Sequence, residues 1–255
     1  MQTEDYEYLY RLEERFWWFA GMRTIAGALL DDFCTPNPER MILDAGCGTG
    51  GNLEWLRRYG AAGQICGIDV SAEALQFCRQ RRHELLARAS VAELPFGDSL
   101  FDLVTSFDVL GQLPDEGADA QAVREMYRVL RPGGVAFVRV AAYEWLRSGH
   151  DKALGTQKRY HLRGLSNLLK CNGFSVLRAT YANSLLLPVV AFRRLVLKRA
   201  RLADTGSDVK PLPTWLQPVN SILRELLQAE ASWLKTSRFD LPTGVSAICV
   251  ARKPD

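Results

Sequence analysis

Leu43-Asp44-Ala45-Gly46-Cys47-Gly48-Thr49-Gly50-Gly51 is the stretch of this chain best suited to holding a charged small molecule. An acid closes a short apolar run, and alternating glycines come after it. Glycine tolerates φ > 0 and lets a ligand lie close to the backbone. A helix starting at the last glycine offers free N–H groups and the positive end of its dipole to an anionic group. Gly46-x-Gly48-x-x-Gly51 also fits the dinucleotide fingerprint, so the glycines alone do not choose the ligand. Asp44 discriminates, because a carboxylate there repels a pyrophosphate and suits a cation such as an amino group or a sulfonium. A strand-end cap is its competing role. Asp69 closes Gly67-Ile68-Asp69, where a carboxylate can accept from both ribose hydroxyls. A charge at a helix N-terminus is the competing role there.

These residues need strands ending in turns, and the pattern supplies them. Asp5 to Leu30 is predicted helical, and Pro36 and Pro38 punctuate the segment between it and Arg40. Short apolar runs then alternate with amphipathic stretches. Strands are predicted at Met41–Leu43, Gln64–Ile68, Leu85–Ser90, Phe101–Phe107 and Val135–Val140. Helices are predicted at Gly51–Tyr59, from an N-cap at Ser71 to about His83, and at Asp119–Leu130. Alternation of this kind implies parallel pairing through right-handed crossovers, hence a doubly wound α/β sheet with helices on both faces. Beyond a loop-rich stretch from Ala141 to Tyr160, a helix at Leu162–Cys171 stops at Asn172-Gly173, and a sixth strand runs from Phe174 to Tyr181. A basic segment (Ser184–Leu202), a polar linker (Ala203–Thr214), a helix (Pro218–Leu234) and a last strand (Val245–Ala251) complete the chain.

Four ordered blocks carry a resemblance: Leu43 to Gly50, Gly67-Ile68-Asp69-Val70-Ser71, Ala92-Glu93-Leu94-Pro95-Phe96 with Phe101-Asp102-Leu103-Val104, and Tyr127 to Gly134 with its Arg131-Pro132-Gly133-Gly134 turn. In order and spacing this chain resembles the class I S-adenosylmethionine-dependent methyltransferases, in the branch related to the ubiquinone and menaquinone enzymes. The likeness covers roughly Arg40 to Val140. It implies a seven-stranded, mostly parallel sheet in the order 3-2-1-4-5-7-6 with the last strand antiparallel, and S-adenosyl-L-methionine as cofactor. By position, it implies Asp44, Gly46, Gly48 and Gly50 around the methionine end, with Phe107 at the end of the fourth strand. Asp69 would hold the ribose, Val70 would pack on adenine, and Ser90, Val91 and Ala92 would meet the adenine edge. The family often carries an acid where this chain has Ser90, a weaker acceptor. Many relatives have Leu-Glu-His where this chain has Leu110-Gly111-Gln112, so no role rests on that histidine.

Methyl transfer from a sulfonium is an SN2 displacement, for which the protein aligns the nucleophile and excludes water. The chain lacks an Asn/Asp-Pro-Pro-Tyr/Phe motif and a Pro-Cys nucleophile. Small-molecule or lipid-like acceptors therefore remain, attacked through oxygen, nitrogen or carbon. His150 beside Asp151 is the first candidate base, with a loop-capping pair as the competing role. Tyr160 and Arg159 are candidates to clamp an anionic or phenolic acceptor, or to brace the loop. Tyr143 belongs to the same run, which, like Phe16-Trp17-Trp18-Phe19 with Arg23, resembles a stretch in a group of uncharacterised bacterial relatives. Trp18 and Arg23 are thereby candidate acceptor contacts on an aromatic lid, the competing role being a helix packed on the domain edge.

The 255 residues are enough for one large core without staples. We expect one domain: an N-terminal arm (1–39), a sheet framework (40–181 plus 245–252) and a helical insertion (182–244) that covers the acceptor. Six cysteines without a C-x-x-C pair or paired histidines argue against a metal site. The formal charge of +3 is too small for a general nucleic-acid footprint. Arg193 to Arg201 supplies five cations and no acid, which leaves the remainder at 3 − 5 = −2. Residues 184–202 thus read as a basic patch for an anionic membrane surface, a cover over a greasy pocket, or a solvated face. With no apolar leader and no membrane-length apolar run, the expected location is the cytoplasm, with the inner membrane face as a peripheral site. The alternatives to a methyltransferase are a nicotinamide-dependent oxidoreductase and a cofactor-binding module without catalysis.

Overall fold

The computed structural model describes residues 3–14, 16–199, 217–237 and 239–255. Its strands are Ile42–Ala45 (β1), Ile65–Asp69 (β2), Leu86–Arg88 (β3), Phe101–Phe107 (β4), Leu130–Ala141 (β5), Ser175–Ala182 (β6) and Ser246–Arg252 (β7). They form one sheet in the order β3-β2-β1-β4-β5-β7-β6. β7 runs antiparallel to β5 and β6, and the other pairs are parallel. Central strands covered on both faces are buried on both: β1 and β4 bury nearly every residue, and β5 does so from Gly134 to Val140.

The helices are Thr3–Leu12 (α1), Trp17–Leu30 (α2), Gly51–Leu56 (α3), Ala72–Gln80 (α4), Ala118–Val129 (α5), Gly149–Leu154 (α6), Leu162–Cys171 (α7), Leu187–Arg199 (α8) and Gln217–Thr236 (α9). One face of the sheet packs on α2, α3, α4 and α9 through Ile25, Leu29, Leu56, Leu75 and Leu227. The other packs on α5 and α7 through Val123, Met126, Leu165 and Leu169. Ser71 caps α4, its hydroxyl accepting from Ala74 N–H at 3.1 Å.

Side-chain alternation along a strand then positions the chemistry. Ile42 and Leu103 lie in the α2-side core, so Asp44 and Thr105, two residues further on, lie on the same face. Phe107 and Phe137 belong to that face as well, and the register sets Phe107 against Arg139. The C-terminal ends of β1, β4 and β5 therefore present Asp44, Thr105, Phe107 and Arg139 in one row.

Three elements differ from the sequence expectation. The predicted helix over Asp5–Leu30 breaks after Leu12 and restarts at Trp17, with Phe16 extended. The break lets Glu13 turn inward, its carbonyl accepting from Arg23 Nη2 at 2.7 Å. Beyond its aromatic first turn α2 is anchored: Ile25, Leu29 and Leu30 are fully buried, and Gly21 allows so close an approach to α9 that a Cβ would sit 2.3 Å from Leu227. α9 serves that packing, burying Leu227, Ala231 and Leu234 against α2. The predicted linker at Ala203–Thr214 lies outside the described residues. No helix among the described residues is long and apolar enough to cross a membrane.

Candidate active site

β1 delivers Asp44 to the centre of the sheet's C-terminal edge, fully buried. Its Oδ1 accepts from Thr105 Oγ1 at 2.7 Å, while Oδ2 is buried with no partner among the described residues. Burial pushes its pKa up to about 7; the Thr105 hydrogen bond and Arg139 pull the other way, while Glu13 and Asp69 add to the rise. An unsatisfied buried carboxylate is a seat for a cation or a donor. Next to it, Gly46 at φ +90° would drive a Cβ into Val109 at 2.3 Å. Gly48, at φ +54°, has nothing within 4 Å of the place a Cβ would take, so the loop forms an open cradle there.

Asp69 ends β2 with two backbone amides on its carboxylate: Gly48 N–H at 3.0 Å on Oδ2 and Ser71 N–H at 2.9 Å on Oδ1. Each oxygen retains a lone pair for a diol. Val70 beyond it is 62% exposed, an apolar surface open to a flat ring. Ser90 Oγ accepts from Ala92 N–H at 3.1 Å and fixes the turn that carries the buried Val91. These features fit a nucleoside joined to a cationic amino-acid tail, the cofactor that the sequence resemblance implies.

The helix N-terminus is occupied by the chain itself. Glu13 is 6% exposed. Its Oε2 accepts from Thr49 Oγ1 at 2.6 Å and from Gly51 N–H at 3.1 Å. The free N–H groups expected there for an anionic ligand are thus partly taken by a carboxylate of the arm. Gly51 is glycine because a Cβ would lie 2.6 Å from Glu13 Oε2. Arg81 completes the fastening: its guanidinium reaches Glu13, Glu14, the Tyr10 carbonyl and the Thr49 carbonyl, and lies 4.3 Å from the Tyr10 ring centre. Burial raises the Glu13 pKa, opposed by the Thr49 hydrogen bond and the arginines. The contact spans 36 residues of sequence and had no local signal beyond an acid preceding an aromatic run.

From Gly46 and Cys47 a cavity of about 420 Å³ extends between the arm, α6 and α8. None of Asp69, Val70 or Ser90–Ala92 lines it, so its volume lies away from the nucleoside end. Trp18, Phe107, Asp151 and Arg159 among the sequence candidates do line it; Arg23, Tyr143 and Tyr160 do not. Arg23 braces the Glu13 carbonyl. Tyr143 stacks on Tyr181 at 5.1 Å and shares a hydrogen bond with Thr243. Tyr160 is buried, its hydroxyl donating to Asp119 at 2.8 Å, and burial with that bond raises its pKa. Asp151 is committed to Arg159, whose Nε and Nη2 reach its two oxygens at 2.7 and 3.0 Å, and it also accepts from Ser148 N–H. Burial would raise the Asp151 pKa, but the Arg159 hydrogen bonds and charge outweigh it and hold it below the ordinary value. His150 is the second residue of α6; its side chain lies outside the described ones.

Sequence reasoning passed over Asp108 and Arg139. Arg139 is 6% exposed and lines the cavity. Its Nε and Nη2 both donate to Asp108 Oδ2, at 2.9 and 2.7 Å, and its guanidinium lies 4.9 Å from the Trp18 ring centre and 5.1 Å from that of Phe107. A lone arginine at an inward position of an apolar strand was the signal available.

Residues 43–138 match a family described as "Methyltransferase domain". A candidate methyltransferase of Encephalitozoon cuniculi is 33% identical over 171 residues, covering 58% of this chain and 75% of that protein. The demethylmenaquinone methyltransferase of Lactiplantibacillus plantarum is 39% identical over 100 residues, 36% of this chain and 41% of that enzyme, so the chain spans about two fifths of its length. In fold, an S-adenosylmethionine-dependent methyltransferase from Mesorhizobium loti superposes with a TM-score of 0.55 at 18% identity, covering 89% of this chain and 97% of that one.

Proposed function

Because this chain belongs to the class I S-adenosylmethionine-dependent methyltransferases, we propose that the cavity beyond Gly46 receives a small-molecule or lipid-like methyl acceptor. S-adenosylmethionine is the cofactor of this family, and it supplies an electrophilic methyl on a sulfonium. In our assignment Asp44 and the loop of Gly46, Gly48 and Gly50 hold the amino-acid end. Asp69 takes the ribose diol, and Val70 with the Ser90–Ala92 turn takes the adenine.

The continuity of the cavity with the glycine loop carries the reading. Apolar and aromatic walls from Leu12, Phe16, Trp18, Val189 and Val190 exclude water and suit a greasy acceptor. α8 contributes Val189, Val190, Arg193 and Arg194 to that wall, which supports the cover role for the basic segment. Val189 and Phe192 on α8, with Leu185 in the turn before it, are exposed, which supports a peripheral membrane contact for a lipid-linked acceptor. In this proposal 182–244 belongs to the same domain as the sheet. His150, on the helix that walls the cavity, takes a proton where the nucleophile carries one, and it does so without Asp151, which is held by Arg159. The dinucleotide alternative is disfavoured by Glu13, whose carboxylate stands at the helix N-terminus where a pyrophosphate would need to bind.

Incubating the protein and methyl-labelled S-adenosylmethionine with a cell lysate tests this reading. Label is expected in organic-extractable or small aqueous products. Label confined to protein or nucleic acid would overturn it.

A further inference from the structure

Arg139 is an arginine built into an aromatic wall with part of its hydrogen-bonding capacity unused. One oxygen of Asp108 takes both Nε and Nη2. Trp18 and Phe107 flank the guanidinium, and Nη1 has no protein partner among the described residues. The support is stiff. Asp108 is held at φ +62°, its N–H donating to the Arg139 carbonyl at 2.8 Å. The described acids of the cavity wall are Glu13, Asp108 and Asp151. The three acids each face an arginine: Arg81, Arg139 and Arg159 respectively. β5 lies two strands from β1 across β4, which sets the Arg139 backbone roughly 10 Å from that of Asp44 at the usual strand spacing.

We propose that Arg139 is a specificity-determining residue that binds a carboxylate or phosphate group carried by the methyl acceptor. The inference rests on the reading of the cavity as the acceptor site. An apolar or aromatic acceptor body fits between Trp18 and Phe107, and its anionic group meets the outer edge of the guanidinium. Asp108 acts as a positioning residue, holding Nε and Nη2 and leaving Nη1 for the acceptor. A sulfonium nearby adds positive charge to the same enclosure, so an anionic acceptor also offsets the charge that the cofactor brings.

Three probes decide it: phenylacetate, phenyl phosphate and neutral phenylacetamide, titrated into wild-type protein saturated with S-adenosylhomocysteine. At least one anionic probe is expected to bind roughly tenfold or more tightly than the amide, the scale of a charge-assisted hydrogen bond. Phenylacetate against phenyl phosphate tells which anion is preferred. Arg139→Gln is expected to abolish the preference, and Arg139→Lys, which keeps the positive charge that helps hold the Asp44 pKa down, is expected to keep part of it with S-adenosylhomocysteine affinity within about twofold. Equal binding of charged and neutral probes to the wild type overturns the inference without needing any variant to fold. So does a preference that survives Arg139→Gln. Loss of S-adenosylhomocysteine affinity in folded Arg139→Lys would assign the arginine to the cofactor's carboxylate instead. If the wild type does not bind S-adenosylhomocysteine, the underlying reading fails; bound S-adenosylhomocysteine without charge discrimination sinks only this inference.

Discussion

Asp44→Asn is expected to weaken S-adenosylhomocysteine binding by about a hundredfold, the scale of a lost hydrogen bond to a buried charge, and to make the cofactor-free protein more stable. Both effects come from Oδ2, which is buried and unpartnered. Without cofactor the carboxylate loses hydration and gains one hydrogen bond, from Thr105. With an ammonium beside it, the same carboxylate makes a charge-assisted pair. The pH dependence comes from the raised pKa of about 7. An acid whose pKa is higher folded than unfolded keeps a proton that the unfolded chain releases, so its contribution makes stability fall as pH rises from about 4 to about 7. The stability advantage of Asp44→Asn should therefore grow across that window and level off above it. Cofactor affinity should move oppositely: wild-type binding should strengthen by about tenfold from pH 6 to pH 8 as one such carboxylate ionises, and Asp44→Asn should lose that dependence. Calorimetric titration and thermal unfolding at several pH values measure both, and an unchanged affinity in Asp44→Asn would remove Asp44 from the site.

Glu13→Ala carries the second large effect, an expected loss of about 3–5 kcal/mol of unfolding free energy, typical of breaking one side of a buried ion pair. Arg81, whose side chain is 9% exposed, would be left facing the alanine, with the exposed Glu14 as its remaining carboxylate. Thr49 Oγ1 and Gly51 N–H would lose their acceptor inside the cofactor loop. Loss of S-adenosylhomocysteine affinity should accompany the loss of stability, because the same carboxylate fixes the start of α3. Glu13→Gln keeps an oxygen acceptor for both donors and should cost less. Denaturant unfolding measures the first effect and calorimetry the second. Wild-type stability in Glu13→Ala would mean that the arm is held by α2 alone.

The two positions differ in how visible they were in the sequence. Asp44 and Asp69 stand at strand ends beside glycines, and period-two alternation fixes which face each residue takes. A central strand such as β4, Phe101–Phe107, was legible to the residue because Phe101, Leu103, Val104 and Phe107 mark out its buried span. The pairs Glu13–Thr49 and Asp108–Arg139 were not, because they join residues 36 and 31 apart through tertiary packing that leaves no period or motif. The same limit explains the arm. Its aromatic run is compatible with a lid, but only the contact of Gly21 with Leu227 on α9 makes α2 part of the core. Tyr160 looked chemical from its neighbours in sequence, and its partner Asp119 lies 41 residues away.

The most direct test of the account is whether filling the cavity stops transfer while sparing the cofactor. Ala153 on α6 lines the cavity, whereas Asp44, Asp69, Val70 and Ser90–Ala92 do not. Ala153→Trp should retain S-adenosylhomocysteine affinity within about twofold, since the carboxylates Asp44 and Asp69 do not line the cavity that it fills, and should lose the labelled product that the wild type makes from lysate. Undiminished product from a folded Ala153→Trp variant would contradict the claim that the acceptor binds in this cavity.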